Sequence, residues 1–212
     1  MLLVRGHHLS NTAGHRPGEV QAVQGDGIRE VSEKDWLRGD WMQTFTGKQF
    51  FPLDPRPEDI DPQDIARALA MQCRFNGHVK KFYSVAEHCV LLSNAVSPEN
   101  ALWALLHDAT EAYVGDMVRP LKKHMPEYIA NEDKLMGVIA QRFGLKGEIP
   151  PEVHWADSRI LLTERDALMM PSKHKWAVDD LDPLPVKINS WRPNEAEVEY
   201  LIRLRELYGT LL

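Results

Sequence analysis

The chain has 212 residues, enough to bury one sizeable core, so a single folded domain is expected. Apolar residues make up 43% and charged residues 26%, and the formal net charge of −6 argues against a protein built to hold a nucleic-acid backbone. No apolar run approaches the ~20 residues of a membrane span, and the N-terminal apolar stretch is too short for a signal peptide. With only Cys73 and Cys89, both in segments that read as buried helix, reduced thiols and a cytoplasmic location are expected. The expected partners exclude membranes and polymeric nucleic acid, and a homodimer is left open.

Residues 1–40 are rich in glycine and poor in large apolar residues, and they read as a partly disordered or loosely packed arm. Order is expected from Trp41, where two short apolar runs flank Thr46-Gly47 and predict a small β-hairpin over Trp41–Phe51. Residues 41–212 form the domain. Asp61 followed by Pro62 starts a helix with Ile65, Leu69 and Cys73 on one face. Ser84-Val85-Ala86-Glu87 reads as a capping box opening a second helix, with Val85, Cys89 and Leu92 apolar. A third runs from Ser97-Pro98 through Leu105 and Leu106 towards Gly115, and its apolar surroundings predict that it is the central one. Further helices are predicted from Pro126 to Phe143, from Pro150-Pro151 to just before Pro171, and from about Pro193 to about Gly209. Lys173–Trp191 reads as loop. The fold class is all-α, a helical bundle with one small hairpin at its N-terminal edge.

Ionisable residues in apolar helices need a reason, because a buried charge costs several kcal/mol unless paired or metal-bound. His107, Asp108 and Glu111 sit in the most hydrophobic helix, His88 in the first turn of the capped helix, and Asp157 on the stripe with Ile160, Leu161 and Glu164. Two imidazoles and two carboxylates from separate helices suit one divalent metal ion, with Mn, Co, Zn, Fe, Ni and Mg all admissible. Taken singly, a core histidine bonded to backbone or an aspartate in an ion pair is the commoner reading.

The run from His107 to Lys122, HDATEAYVGDMVRPLK, resembles the signature HDxxExxxGDxxxPxK. That signature belongs to the HD-domain superfamily of metal-dependent phosphohydrolases, in the branch with bacterial 5′-deoxynucleotidases and phage deoxynucleoside triphosphate triphosphohydrolases. Tyr83-Ser84-Val85-Ala86-Glu87-His88 and Trp155-Ala156-Asp157 resemble the same branch in the same order, so the resemblance covers roughly Trp41 to Met170. It implies an HD-domain helical bundle with His88, His107, Asp108 and Asp157 as metal ligands. Glu111 would orient or deprotonate the attacking water, and Asp116 would protonate the leaving oxygen. Arg74 would clamp a phosphate oxygen with Phe75 against sugar or base, and Lys122 would meet a phosphate. Phe75 stands where the deoxynucleotidases carry Trp.

The activity implied is hydrolysis of a phosphoester in a nucleotide, first of all a (deoxy)nucleoside 5′-monophosphate. The alternatives are a deoxynucleoside triphosphate triphosphohydrolase and, from another class, a metal- and nucleotide-binding sensor without turnover. Glu111 and Asp116 favour an enzyme, since neither is needed to hold the metal.

Overall fold

The computed structural model describes residues 38–209. Of the predicted arm, residues 1–37 lie outside the described residues. Among the described residues, Arg38 already packs three residues ahead of Trp41. Its guanidinium lies 4.1 Å above the Phe51 ring, bonds Asp54 through Nε at 3.0 Å, and pairs with Asp59. The predicted hairpin is present as antiparallel β1 (Met42–Gln43) and β2 (Gln49–Phe50). Its turn closes through the Gly47 amide donating to the Thr44 carbonyl at 3.0 Å, with Gly47 at φ +83°. Phe50 carries the hairpin into the core, stacked on Tyr113 with ring centres 4.0 Å apart.

Around it stands a bundle of helices: α1 (Pro62–Met71), α2 (Val85–Ser93), α3 (Ala101–Leu106), α4 (Glu111–Val114), α5 (Arg119–Lys122), α6 (Pro126–Phe143), α7 (Pro151–Leu168) and α8 (Pro193–Tyr208). The local signals explain most of these bounds. The Asp61 carboxylate accepts from the Gln63 amide at 2.9 Å, with Pro62 as the first residue of α1. Gly144 ends α6 in the left-handed conformation that a Cβ would disfavour.

Two expectations about the centre are corrected. The helix predicted from Ser97-Pro98 to Gly115 is not continuous: it enters through a 3-10 turn at Pro98–Asn100 and breaks between α3 and α4. Across His107–Thr110 the bonds tighten, with the Ala109 amide donating to the Leu106 carbonyl and the Glu111 amide to that of Asp108. The most enclosed helix is α2, in which Leu91 alone is not buried and which packs on α1, α3, α7 and α8. Its polar residues Glu87, His88 and Ser93 disguise this in the sequence, yet each is buried with a hydrogen-bond partner.

One core gathers α1, α2, α3, α4, α6 and α8 around Leu69, Leu105, Ile139 and Tyr200. A second joins α2, α3, α6 and α7 through Leu92, Trp103, Val153 and Ile160, closed by Leu184 from the α7–α8 connection. That connection has no regular structure, as expected for Lys173–Trp191, but it is firmly held. The Leu184 amide donates to the Arg159 carbonyl at 3.2 Å, and the Leu184 carbonyl accepts from the Thr163 hydroxyl at 2.6 Å. Glu87 is a further correction. The Ser84 hydroxyl accepts from its amide, but the Glu87 carboxylate accepts from the amides of Asn189, Ser190 and Trp191 at 2.7, 3.0 and 2.7 Å. The capping box is half-formed because its glutamate anchors the chain entering α8. Cys89 is buried, whereas Cys73 lies beyond the end of α1 and is half-buried; both are free thiols.

Candidate metal centre

The site forms where α2, the α3–α4 junction and α7 converge. An isolated antiparallel bridge between Cys73 and Ser84 ties the chain before α2 to the chain after α1, bringing Arg74 and Tyr83 alongside. His88, wholly buried, sends Nδ1 to Oε1 of Glu164 at 2.6 Å. His107 sends Nδ1 to the Ala104 carbonyl at 2.8 Å. A carbonyl only accepts, so His107 Nδ1 carries its proton. Glu164 also accepts from the Tyr83 hydroxyl at 2.9 Å and from Arg74 at 3.2 Å, so its carboxylate is ionised and His88 Nδ1 is likewise the donor. Both rings therefore turn Nε2 inward, and the two Nε2 atoms lie 3.2 Å apart.

Oδ2 of Asp108 completes the triangle, 3.5 Å from His88 Nε2 and 3.3 Å from His107 Nε2. His88, His107 and Asp108 thus form a cluster that could hold a metal ion. Two imidazole Nε2 atoms facing each other beside a carboxylate need a proton or a cation between them, and with two nitrogens and a carboxylate oxygen the donor set fits a cation. Asp157, the fourth predicted ligand, places Oδ1 3.4 Å from His88 Nε2, while its other oxygen meets Arg119 at 3.3 Å.

The electrostatics agree. Burial and the Arg74 charge push His88 down, but Glu164 and the hydrogen bonds to Asp157 and Glu164 outweigh them and lift its pKa to about 9. A field that favours a proton on that ring favours a metal ion in the same place. Burial opposes charge on Asp157, yet the His88 hydrogen bond and the charges of His88, His107 and Arg74 hold it well below the usual carboxylate range. Burial likewise opposes charge on Glu164, and Arg74 and His88 keep it low.

Beside the cluster lie the two carboxylates assigned to proton transfer. Glu111 is buried and its Oε2 has no hydrogen-bond partner. Burial, then the charges of Asp108 and Asp116, raise it well above the usual range. Burial also raises half-buried Asp116, outweighing the Arg74 charge. Gln72 holds this corner together, donating to the Glu111 carbonyl at 2.9 Å and accepting from the Asp116 amide at 3.1 Å. No sequence signal singled out Gln72.

The predicted substrate contacts are placed less uniformly. Arg74 is enclosed, with Nη1 3.4 Å from Asp108 and Nη2 3.2 Å from Glu164, so its guanidinium already faces carboxylates. Phe75 is half-buried at φ +55°, its ring centre 6.3 Å from that of Trp176, and it is not part of either core. Lys122 pairs with Glu132 and lies 5.9 Å from the centre of the Tyr128 ring, turned towards α6. Glu164 both fixes the His88 ring and pairs with Arg74. The only hint was its place seven residues after Asp157, on the same face of α7.

Fold and site together define an all-helical protein with a small hairpin and a His/Asp cluster that could hold a metal ion; among the described residues, no helix is long and apolar enough to cross a membrane. The chain belongs to the family of the uncharacterized protein YfdR of Escherichia coli (strain K12), to which it is 43% identical over 138 residues, 65% of this chain and 78% of that protein. It is also 37% identical over 127 residues to an uncharacterized protein of Rhodobacter capsulatus, covering 55% of this chain and 65% of that protein. No family model matches the chain.

Proposed function

We propose that this protein is an HD-domain metal-dependent phosphohydrolase whose substrate is a nucleotide, in the first place a (deoxy)nucleoside 5′-monophosphate. The observation that carries this reading is the pair of inward-facing imidazole Nε2 atoms beside Asp108, with the buried, unpartnered carboxylate of Glu111 next to them. His88, His107, Asp108 and Asp157 would hold one divalent cation, which would supply Lewis acidity at the phosphate. The remaining work falls to the chain itself. Glu111 orients the attacking water and accepts its proton. Asp116 gives the leaving oxygen its proton. Arg74 fixes Asp108 and Glu164 in place and presents a permanent charge to the phosphate.

A triphosphate is the second reading, favoured by Arg119, which stands 71% exposed against Asp157 and could follow a longer phosphate chain. The deciding experiment is a panel of nucleoside mono- and triphosphates with Mn²⁺, Co²⁺, Zn²⁺ and Mg²⁺, with products separated by chromatography. Release of orthophosphate from a monophosphate is expected, and release of triphosphate from a triphosphate would install the second reading. No turnover with metal bound would replace both with a metal- and nucleotide-binding sensor.

A further inference from the structure

At the far end of α7, a cavity of about 610 Å³ opens between the Lys80 segment and the start of the α7–α8 connection. Its lining shares no residue with the His/Asp cluster and has a different character. Lys80, Lys173 and Lys175 stand on its rim, all exposed, and among the described residues none forms an ion pair. His174 lies between the two later lysines. The carboxylates of the wall are already engaged: Arg165 takes Asp166 at 2.9 Å and also Asp179, which in turn accepts from the Trp176 amide at 2.9 Å. Within a chain of net charge −6, the rim is thus a local excess of positive charge.

Its lining also includes the apolar Met169, Met170, Pro171 and Trp176. Met170 is 74% exposed, and the Trp176 ring, half-buried, is held from one side by the Arg165 guanidinium at 5.4 Å and from another by Phe75. A large exposed apolar side chain and a fixed aromatic plane beside unpaired lysines call for a ligand with an anionic end and a flat ring. The volume falls within the usual range for small-molecule sites.

We propose that this cavity binds a nucleoside phosphate, with the phosphate on Lys80, Lys173 and Lys175 and the base over Trp176 and Met170, at a site separate from the His/Asp cluster. The lysines act as point charges on the phosphate, and the indole offers stacking that any base can use. This inference does not depend on phosphohydrolase activity, because binding here needs no metal.

The test titrates AMP, adenosine and orthophosphate into the full chain by calorimetry, in EDTA so that nothing is turned over. Asp108→Ala should bind AMP within about threefold of the wild type. Lys173→Glu/Lys175→Glu, two exposed positions, should keep the thermal midpoint and weaken AMP by about tenfold or more, the effect of reversing two nearby charges. Adenosine and orthophosphate should each bind more weakly than AMP. AMP binding that disappears in Asp108→Ala and survives in the lysine variant would place the ligand at the His/Asp cluster and overturn the proposal. Undetectable AMP binding to the wild type would overturn it too, and orthophosphate binding as tightly as AMP would remove the base from it.

Discussion

Glu164 has no exposed side-chain surface and yet serves three partners, His88, Arg74 and Tyr83. Its hydrogen bond sets the His88 tautomer and aims Nε2 into the cluster, so Glu164→Gln should weaken metal affinity about 10–100-fold, as loss of such an orienting partner does elsewhere. Competition with a chelating dye measures this, and unchanged affinity would mean that the ring is held by packing alone. Asp108→Ala removes one of the atoms that could hold a metal ion and part of the negative charge. It should purify without stoichiometric metal, and full metal content by elemental analysis would sink the ligand assignment. Glu111→Ala and Asp116→Ala should keep both metal and fold while losing roughly 10²–10⁴-fold in kcat, the range for a positioned acid or base. On the proposed function Arg74→Ala should also raise KM, since its charge would meet the phosphate before and during reaction. Turnover that survives both carboxylate replacements would leave the mechanism without its acid and base.

At the level of elements, α2 carries two separate burdens. Its Ser84 cap starts the helix, and one turn along Glu87 binds three successive amides of the chain entering α8. Burial raises the Glu87 carboxyl above its ordinary range despite those amides, so the anchor is held at some electrostatic cost. Removing it leaves several donors without partners, whereas removing the cap leaves one. Glu87→Ala should therefore cost about 2 kcal/mol or more, and Ser84→Ala about 1 kcal/mol. Urea unfolding of both variants at constant slope gives the comparison. Equal losses would show that the 189–191 segment is held by Leu184 and its neighbours instead.

On the scale of the whole molecule, the buried members of both cores among the described residues lie between Phe50 and Leu204. The composition of the first 35 residues adds little apolar area. Deleting them should leave the thermal midpoint within about 8 °C of the full chain, and a larger fall would show that they pack against the domain.

By itself the sequence determined what local chemistry controls. Asp61-Pro62, Pro150-Pro151 and Gly144 mark helix ends because caps, fixed φ angles and a left-handed residue act within one turn. Thr46-Gly47 marks the hairpin for the same reason. The cluster residues were legible too, because histidines and carboxylates among apolar neighbours stand out, and His88, His107 and Asp108 do come together. What only the tertiary structure decided is the choice among distant partners. Glu87 could satisfy its own helix or a segment about a hundred residues away, and the second supplies three donors where the first supplies one. Arg74 reads as a free phosphate clamp until α7 brings Glu164 against it, and Lys122 reads likewise until α6 brings Glu132. The break at His107–Thr110 belongs to the same class: propensity allows a continuous helix, and only the packed structure shows the backbone tightening where His107 and Asp108 turn to meet His88.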